Sequence, residues 1–328
     1  MEDRRTTWAR RCAILTAVGM FVVLLMGARV TATGSGDGCG NDWPLCHGSW
    51  LPADTYESIT EYSHRFVTGL ESFAVLGTTI LAWPLRKKHR EFTVLVPAVG
   101  FTLVLQALMG AAAVKWPTSA EVMATHFGIS LICLASAALV AFILMDARKG
   151  GAEHPPLDAD ESKVMQRFRW LVIATFVFSI VVAYSGAYVR HSKAELACTD
   201  WPTCSGEVIP TIDHTPKGIQ TAHRTLAGLV GLMIIGDAMM ARNLRRKRPE
   251  LLRLSLMAVA VVLAQALIGR WVVFSGLALM ATLSHAALMA ALFVILAERV
   301  RHVWPWSSTQ TAVIERGSPS FSSPTPAD

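Results

Sequence analysis

Charge is scarce in this sequence. Asp, Glu, Lys and Arg make up 16% of its 328 residues, against about 25% in an ordinary soluble domain. Apolar residues reach 52% and mean hydropathy is +0.42. A soluble enzyme and a disordered chain are excluded. Six cysteines spread over this length exclude a disulfide-rich mini-protein. The strict alternation of barrel strands is missing too, and no linker joins a separate soluble domain. What remains is an all-α polytopic membrane protein, because backbone exposed to lipid must satisfy its own hydrogen bonds. The net charge of +6 raises the question of nucleic acid. The basic residues cluster between apolar runs, however, where they set topology, so no nucleic-acid partner is expected.

Eight apolar runs are long enough to cross a bilayer, near 12–33, 66–85, 92–114, 122–145, 169–190, 225–242, 254–275 and 277–298. Lys and Arg set their direction. Arg4, Arg5, Arg10 and Arg11 precede the first run, and Arg86, Lys87, Lys88 and Arg90 follow the second. Further clusters lie at Arg148–Arg169 and Arg242–Arg253, with Arg299 and Arg301 at the start of the tail. From Val30 to His64 there is no Lys or Arg. The expected topology is that of a multi-pass cell-membrane protein with both ends cytoplasmic and the loops 34–63 and 191–222 outside. The first run reads as a retained span, since Gly34-Ser35-Gly36-Asp37 is a turn and not a cleavage site. The expected organisation is a cytoplasmic N-terminus (1–11), a four-helix bundle (12–146), a cytoplasmic linker (147–168), a second bundle (169–300) and a disordered cytoplasmic tail (301–328).

The chain also aligns with itself at an offset of 159 residues. Gly27-Ala28 falls on Gly186-Ala187, Cys39 on Cys198, His64-Arg65 on His223-Arg224 and Gly69 on Gly228. Gln106 to Gly110 falls on Gln265 to Gly269, and His126 on His285. After a one-residue gap, Trp43-Pro44 aligns with Trp201-Pro202. The repeat predicts two pseudo-symmetric four-helix bundles. An even number of spans separates them, so they are parallel repeats about an axis along the membrane normal.

Polar residues at matched positions point to chemistry. Of ten histidines, His47, His89, His154, His191, His214 and His302 read as loop residues. His64, His126, His223 and His285 sit at the outer ends of the even-numbered spans, at equivalent depths. Two imidazoles from facing helices can hold a haem iron from both sides, which pairs His64 with His126 and His223 with His285. Zinc is the competing metal, but it needs further ligands, and no carboxylate or thiolate is matched in both halves. A c-type haem is excluded by the lack of Cys-x-x-Cys-His. Arg65 and Arg224 are candidate contacts for haem propionates, with simple interfacial snorkelling as the alternative. Arg270 has no counterpart and is a candidate for the second haem only.

Cys39 and Cys46 bracket Gly-Asn-Asp-Trp-Pro-Leu, and Cys198 and Cys204 bracket Thr-Asp-Trp-Pro-Thr. Both pairs lie in loops expected on the oxidising side, so intra-loop disulfides are expected. The first pair has redox activity as a second reading. Cys12 and Cys133 read as buried thiols.

The run from Gly34 to Gly48, Glu61-Tyr62-Ser63-His64-Arg65 and His126-Phe127-Gly128-Ile129-Ser130 together resemble haem A synthase of the bacterial type. Gly186-Ala187-Tyr188-Val189-Arg190, the Cys198/Cys204 loop, Gly218 to Arg224 and Ser284-His285 continue the resemblance, which covers about residues 12 to 300. It implies oxidation of a ring methyl of haem O, through a hydroxymethyl intermediate, to the formyl group of haem A for cytochrome oxidase. It implies a resident haem b on His223 and His285, with the substrate haem on His64 and His126. It also implies a haem O synthase as partner and a membrane electron acceptor such as a quinone.

One asymmetry within the repeat bears on which half is chemical. Glu61 falls on Gln220, so Glu-x-x-His-Arg in the first half becomes Gln-x-x-His-Arg in the second. The two side chains have nearly one shape, but only Glu exchanges a proton or attacks as a carboxylate. Glu61 lies one helical turn before His64 and is the candidate catalytic residue. A helix-start carboxylate favoured by the dipole is the alternative. The rival function is a transmembrane di-haem electron carrier of the b type. It would place its haems at two depths, whereas all four histidines read at one face.

Overall fold

The structure, a computed structural model, describes residues 3–116, 119–148, 155–207 and 213–304. Among them, eight helices are long and apolar enough to span a membrane. They are α1 (Arg4–Ala32), α2 (Tyr56–Ala82), α3 (Phe92–Lys115), α4 (Ala120–Arg148), α5 (Ala159–His191), α6 (Pro216–Ala241), α7 (Pro249–Phe274) and α8 (Leu279–Val303). The expected tail from residue 305 onward and part of the expected linker, including His154, lie outside the described residues.

Several helices start well before their apolar runs because polar caps start them. Thr55 accepts from the Ser58 N–H to open α2, ten residues before the apolar run. Thr215 does the same for Gly218 at α6. At α5, Asp158 and Glu161 form a reciprocal capping box with bonds of 2.8 and 3.0 Å. As a result, His64, His126, His223 and His285 lie two turns or so inside their helices and not at the ends. His191 and His302, expected in loops, are on the last turns of α5 and α8.

Each run of four helices closes on itself. α1 packs on α2 and α4, and α3 on α2 and α4; α5 packs on α6 and α8, and α7 on α6 and α8. The two groups meet through α1, α4, α5 and α8, leaving α2, α3, α6 and α7 at the periphery. The central helix is α4, whose Ala124, Ala135, Ala137, Ala138 and Ala141 are all buried. Lipid tails are as apolar as leucine, so small residues that admit close backbone approach favour helix association there. The core shared by both groups includes Met20, Leu24, Val99, Leu131, Ala183 and Phe293. The peripheral helices turn Phe73, Phe101, Leu232 and Leu267 outward, to where lipid would lie.

The end opposite the cysteine loops carries the basic clusters. Arg299, read as a tail residue, is fully buried on α8 and pairs with Asp237 of α6 at 2.6 Å. Arg301 reaches Asp146 of α4 at 2.6 Å, tying the two groups together. These arginines serve packing, a role hidden in a chain where their partners lie 62 and 155 residues away. At the equivalent place in the first group, Thr16 and Thr78 share a 2.8 Å hydrogen bond.

Candidate functional site

Both cysteine pairs are disulfides, Cys39–Cys46 and Cys198–Cys204, with Cα–Cα separations of 4.4 and 4.8 Å. Cys133 is buried as expected, while Cys12 is only partly so. Each disulfide loop is clamped to the helix that follows it. Glu61 Oε2 accepts from the Cys39 N–H at 2.8 Å, and Oε1 takes the Arg65 guanidinium. Arg65 donates onward to the carbonyls of Asp42 (2.7 Å) and Leu45 (2.9 Å). In the second loop Gln220 Oε1 accepts from the Cys198 N–H at 2.6 Å, and Arg224 donates to Asp200 O (2.8 Å) and Cys198 O (3.1 Å). The sequence pattern places Arg65 and Arg224 beside the histidines; it does not reveal that the loop carbonyls occupy them. The Thr203 hydroxyl and the Gly206 and Ser205 N–H groups hold the Asp200 carboxyl well below the usual carboxylate range.

Closing so short a loop contributes about 2.5 kcal/mol in the chain-entropy treatment. Non-reducing peptide mapping is expected to find Cys39 with Cys46 and Cys198 with Cys204. Cross-pairing such as Cys39 with Cys198 would mean a covalent strap between halves and would refute the intra-loop clamp.

Glu61 is the sixth residue of α2 and is 4% exposed; the first-turn acid is Glu57. The helix-start alternative therefore does not hold for it. It lies beneath the disulfide loop, one turn from His64.

The four histidines are half-buried. His64 lies close enough to His126, and His223 to His285, for a charge on one to be felt by the other. Glycines make room for three of the rings. A Cβ at Gly27 would come 3.3 Å from His64 Cε1, at Gly186 2.8 Å from His223 Cε1, and at Gly269 3.3 Å from His285 Cε1. Nδ1 of His223 bonds Ser185 Oγ at 2.9 Å, which fixes the ring and leaves Nε2 for a ligand. Nδ1 of His64, His126 and His285 is buried without a hydrogen-bond partner. Gln265 and Ser130 bond the backbone carbonyls of His285 (3.1 Å) and His126 (2.9 Å).

The donor chemistry fits an axially ligated haem. Each pair offers two imidazoles, and among the described residues no group of three or more His, Cys, Asp or Glu could hold a metal ion, as zinc would require. Arg270 stacks over Phe274 at 4.5 Å. Two features escape the motif reading. Ser185 has no histidine-like signature, and His191 comes near His126 only through the packing of α5 on α4.

Residues 53–296 match the family described as COX15-CtaA, Cytochrome oxidase assembly protein. The chain is 39% identical over 285 residues to Heme A synthase of Bacillus licheniformis, covering 86% of this chain and 92% of the relative. It is 39% identical over 287 residues to Heme A synthase of Geobacillus kaustophilus, covering 87% and 88%. With Heme A synthase of Geobacillus thermodenitrificans the identity is 37% over 286 residues, again covering 87% and 88%. Two histidine pairs within apolar helices, two clamped disulfide loops and similarity along nearly the whole length agree: the chain belongs to the COX15-CtaA family of cytochrome oxidase assembly proteins, alongside these haem A synthases.

Proposed function

We propose that this protein is an oxidoreductase that converts haem O to haem A, with the substrate haem held by His64 and His126 and a haem b held by His223 and His285. The observation that carries the reading is the matched pair of histidine sites with Glu61 in one and Gln220 in the other. Both sites lie toward the end that carries the disulfide loops. That placement suits neighbouring haems, whereas an electron carrier spanning the bilayer would need two depths. A haem b held by His223 and His285 would supply a route for single electrons. With water as the oxygen source, methyl to hydroxymethyl and hydroxymethyl to formyl each release two electrons and two protons. The electrons pass to a membrane acceptor of the quinone class.

The chain's own residues bind, orient and move protons. Ser185 orients His223, and Gly27 and Gly186 let α1 and α5 approach the ligand helices. Glu61, aligned by Arg65 and the Cys39 N–H, is the proton acceptor or attacking carboxylate beside the substrate site. The internal repeat supports reading the two halves as pseudo-symmetric parallel repeats. The cysteine loops face the extracytoplasmic side and the basic end faces the cytoplasm. A haem O synthase delivers the substrate.

Haem extraction and chromatography after co-expression with a haem O synthase test the reading. Formyl-bearing haem A is expected in the extract. Haem b and haem O without haem A, from membranes holding the folded protein, would overturn it.

A further inference from the structure

Below the His64/His126 pair the first group of helices contains polar side chains that the proposed chemistry does not use. Glu71 is two turns from His64 along α2, about 10 Å deeper toward mid-membrane. Its side chain is 6% exposed, and Oε1 has no hydrogen-bond partner. No ion pair involves it among the described residues. The carboxyl lies over Gly19 of α1, where a Cβ would fall 1.7 Å from Oε2. Cys133 of α4 sits beside Thr102 and Gln106 and within electrostatic range of Glu71. Ser130 bonds Gln106 Oε1 at 3.0 Å and the His126 carbonyl at 2.9 Å, which leaves Gln106 Nε2 buried without a partner.

The second half removes almost all of this polarity. At the 159-residue offset Glu71 becomes Val230, Thr102 becomes Val261, Ser130 becomes Met289 and Cys133 becomes Leu292; only Gln106 stays, as Gln265. Polar groups at this depth are costly unless a partner satisfies them. Packing alone does not call for them, since the second half packs the same helices with apolar side chains at four of these five positions.

We infer that Glu71, together with Gln106, is a recognition site for a hydroxyl on the inward edge of the haem held by His64 and His126, and so distinguishes a hydroxyalkyl haem from a vinyl haem. The inference rests on the assignment of substrate to that pair. Haem propionates are carboxylates and stay at the polar end, so the opposite edge faces the apolar interior. On that edge haem O carries a hydroxyl-bearing chain where protohaem carries a vinyl group. A free carboxyl oxygen that accepts from this hydroxyl, with an amide N–H that donates to it, completes the polar cluster. The apolar floor of Val230, Val261, Met289 and Leu292 complements a vinyl edge. A site built to hydrogen-bond a hydroxyl discriminates strongly against the analogue lacking it.

The test titrates haems into the purified full-length protein carrying its resident haem and follows the additional haem, whose binding His126→Ala removes. The probes are haem O, protohaem, and haematohaem, which has hydroxyethyl groups in place of the vinyls and no long chain. The unaltered protein is expected to bind haematohaem at least ~10-fold more tightly than protohaem. Glu71→Val, which installs the second-half residue, is expected to abolish that preference while leaving protohaem affinity and the resident haem spectrum unchanged. Glu71→Gln, which keeps an acceptor, is expected to retain most of it. Equal affinities for haematohaem and protohaem in the unaltered protein would overturn the proposal without any variant, as would an undiminished preference in Glu71→Val. If no additional haem binds in a manner sensitive to His126→Ala, the substrate assignment itself fails, an outcome separable from loss of hydroxyl selectivity.

Discussion

Purified Glu61→Gln protein is expected to keep its fold, its first disulfide loop and its haem b, while forming haem A at least ~100-fold more slowly, the usual scale for loss of a general base. The structure makes this substitution a clean one. Glu61 has two tasks, accepting the Cys39 N–H and aligning with Arg65, and a glutamine oxygen can do the first. The second half demonstrates it, for Gln220 accepts the Cys198 N–H in the same way. Glu61→Ala would confound the result, since a buried N–H left without its acceptor costs about 1–3 kcal/mol. Gln removes the carboxylate and its ion pair with Arg65, while the Asp42 and Leu45 carbonyls still hold that guanidinium. The reciprocal change, Gln220→Glu, is expected to create no activity, because in the proposed assignment the haem of that half is resident and is not substrate. Rates of haem A formation, measured beside the optical haem b content of the same preparation, decide the matter. Near-normal formation by Glu61→Gln would reduce Glu61 to an anchor for the loop, with the chemistry left to the haem and ordered water.

How much of this was legible in the sequence varies with the range of the interaction. Eight spans follow from apolar run length, because a bilayer imposes a minimum length on every helix. Helix starts do not, since the caps at Thr55, Asp158 and Thr215 are polar and lie outside the apolar runs. The disulfide pairing follows from proximity in the chain. The histidine pairs and the Glu61/Gln220 contrast follow from the internal repeat, which acts as a second copy against which substitutions can be read. Contacts between distant segments stay hidden. Asp237 with Arg299, Arg301 with Asp146, and Ser185 with His223 depend on which helices pack together, and no local pattern marks them. The clamp of Arg65 on Asp42 and Leu45 stays hidden for another reason. It uses backbone carbonyls, which every residue carries and no sequence motif records.

The two histidine pairs are expected to respond differently to loss of one member. His223→Ala or His285→Ala should remove the stably bound haem b, because each ring is one of only two imidazoles in its pair and no third metal-binding side chain stands by among the described residues. The second pair is also the more firmly fixed. Ser185 holds the His223 ring by Nδ1, and a Cβ at Gly186 would come closer to that ring than one at Gly27 would to His64. A preorganised pair suits permanent occupancy, since less ordering remains to be done on binding. Neither ring of the first pair has a hydrogen-bond partner at Nδ1, whereas one ring of the second pair, His223, does, and the floor beneath His64 and His126 is polar. Such a site suits a ligand that enters and leaves. His64→Ala or His126→Ala should therefore leave the resident haem spectrum intact and abolish conversion of haem O. Optical spectra of the four purified variants, with extracted haems separated by chromatography, check both halves of the expectation. Loss of the resident haem on changing His64 but not His223 would reverse the assignment. It would place the substrate over the apolar floor of Val230 and Leu292, away from Glu61 and Glu71, two carboxylates that the repeat does not duplicate.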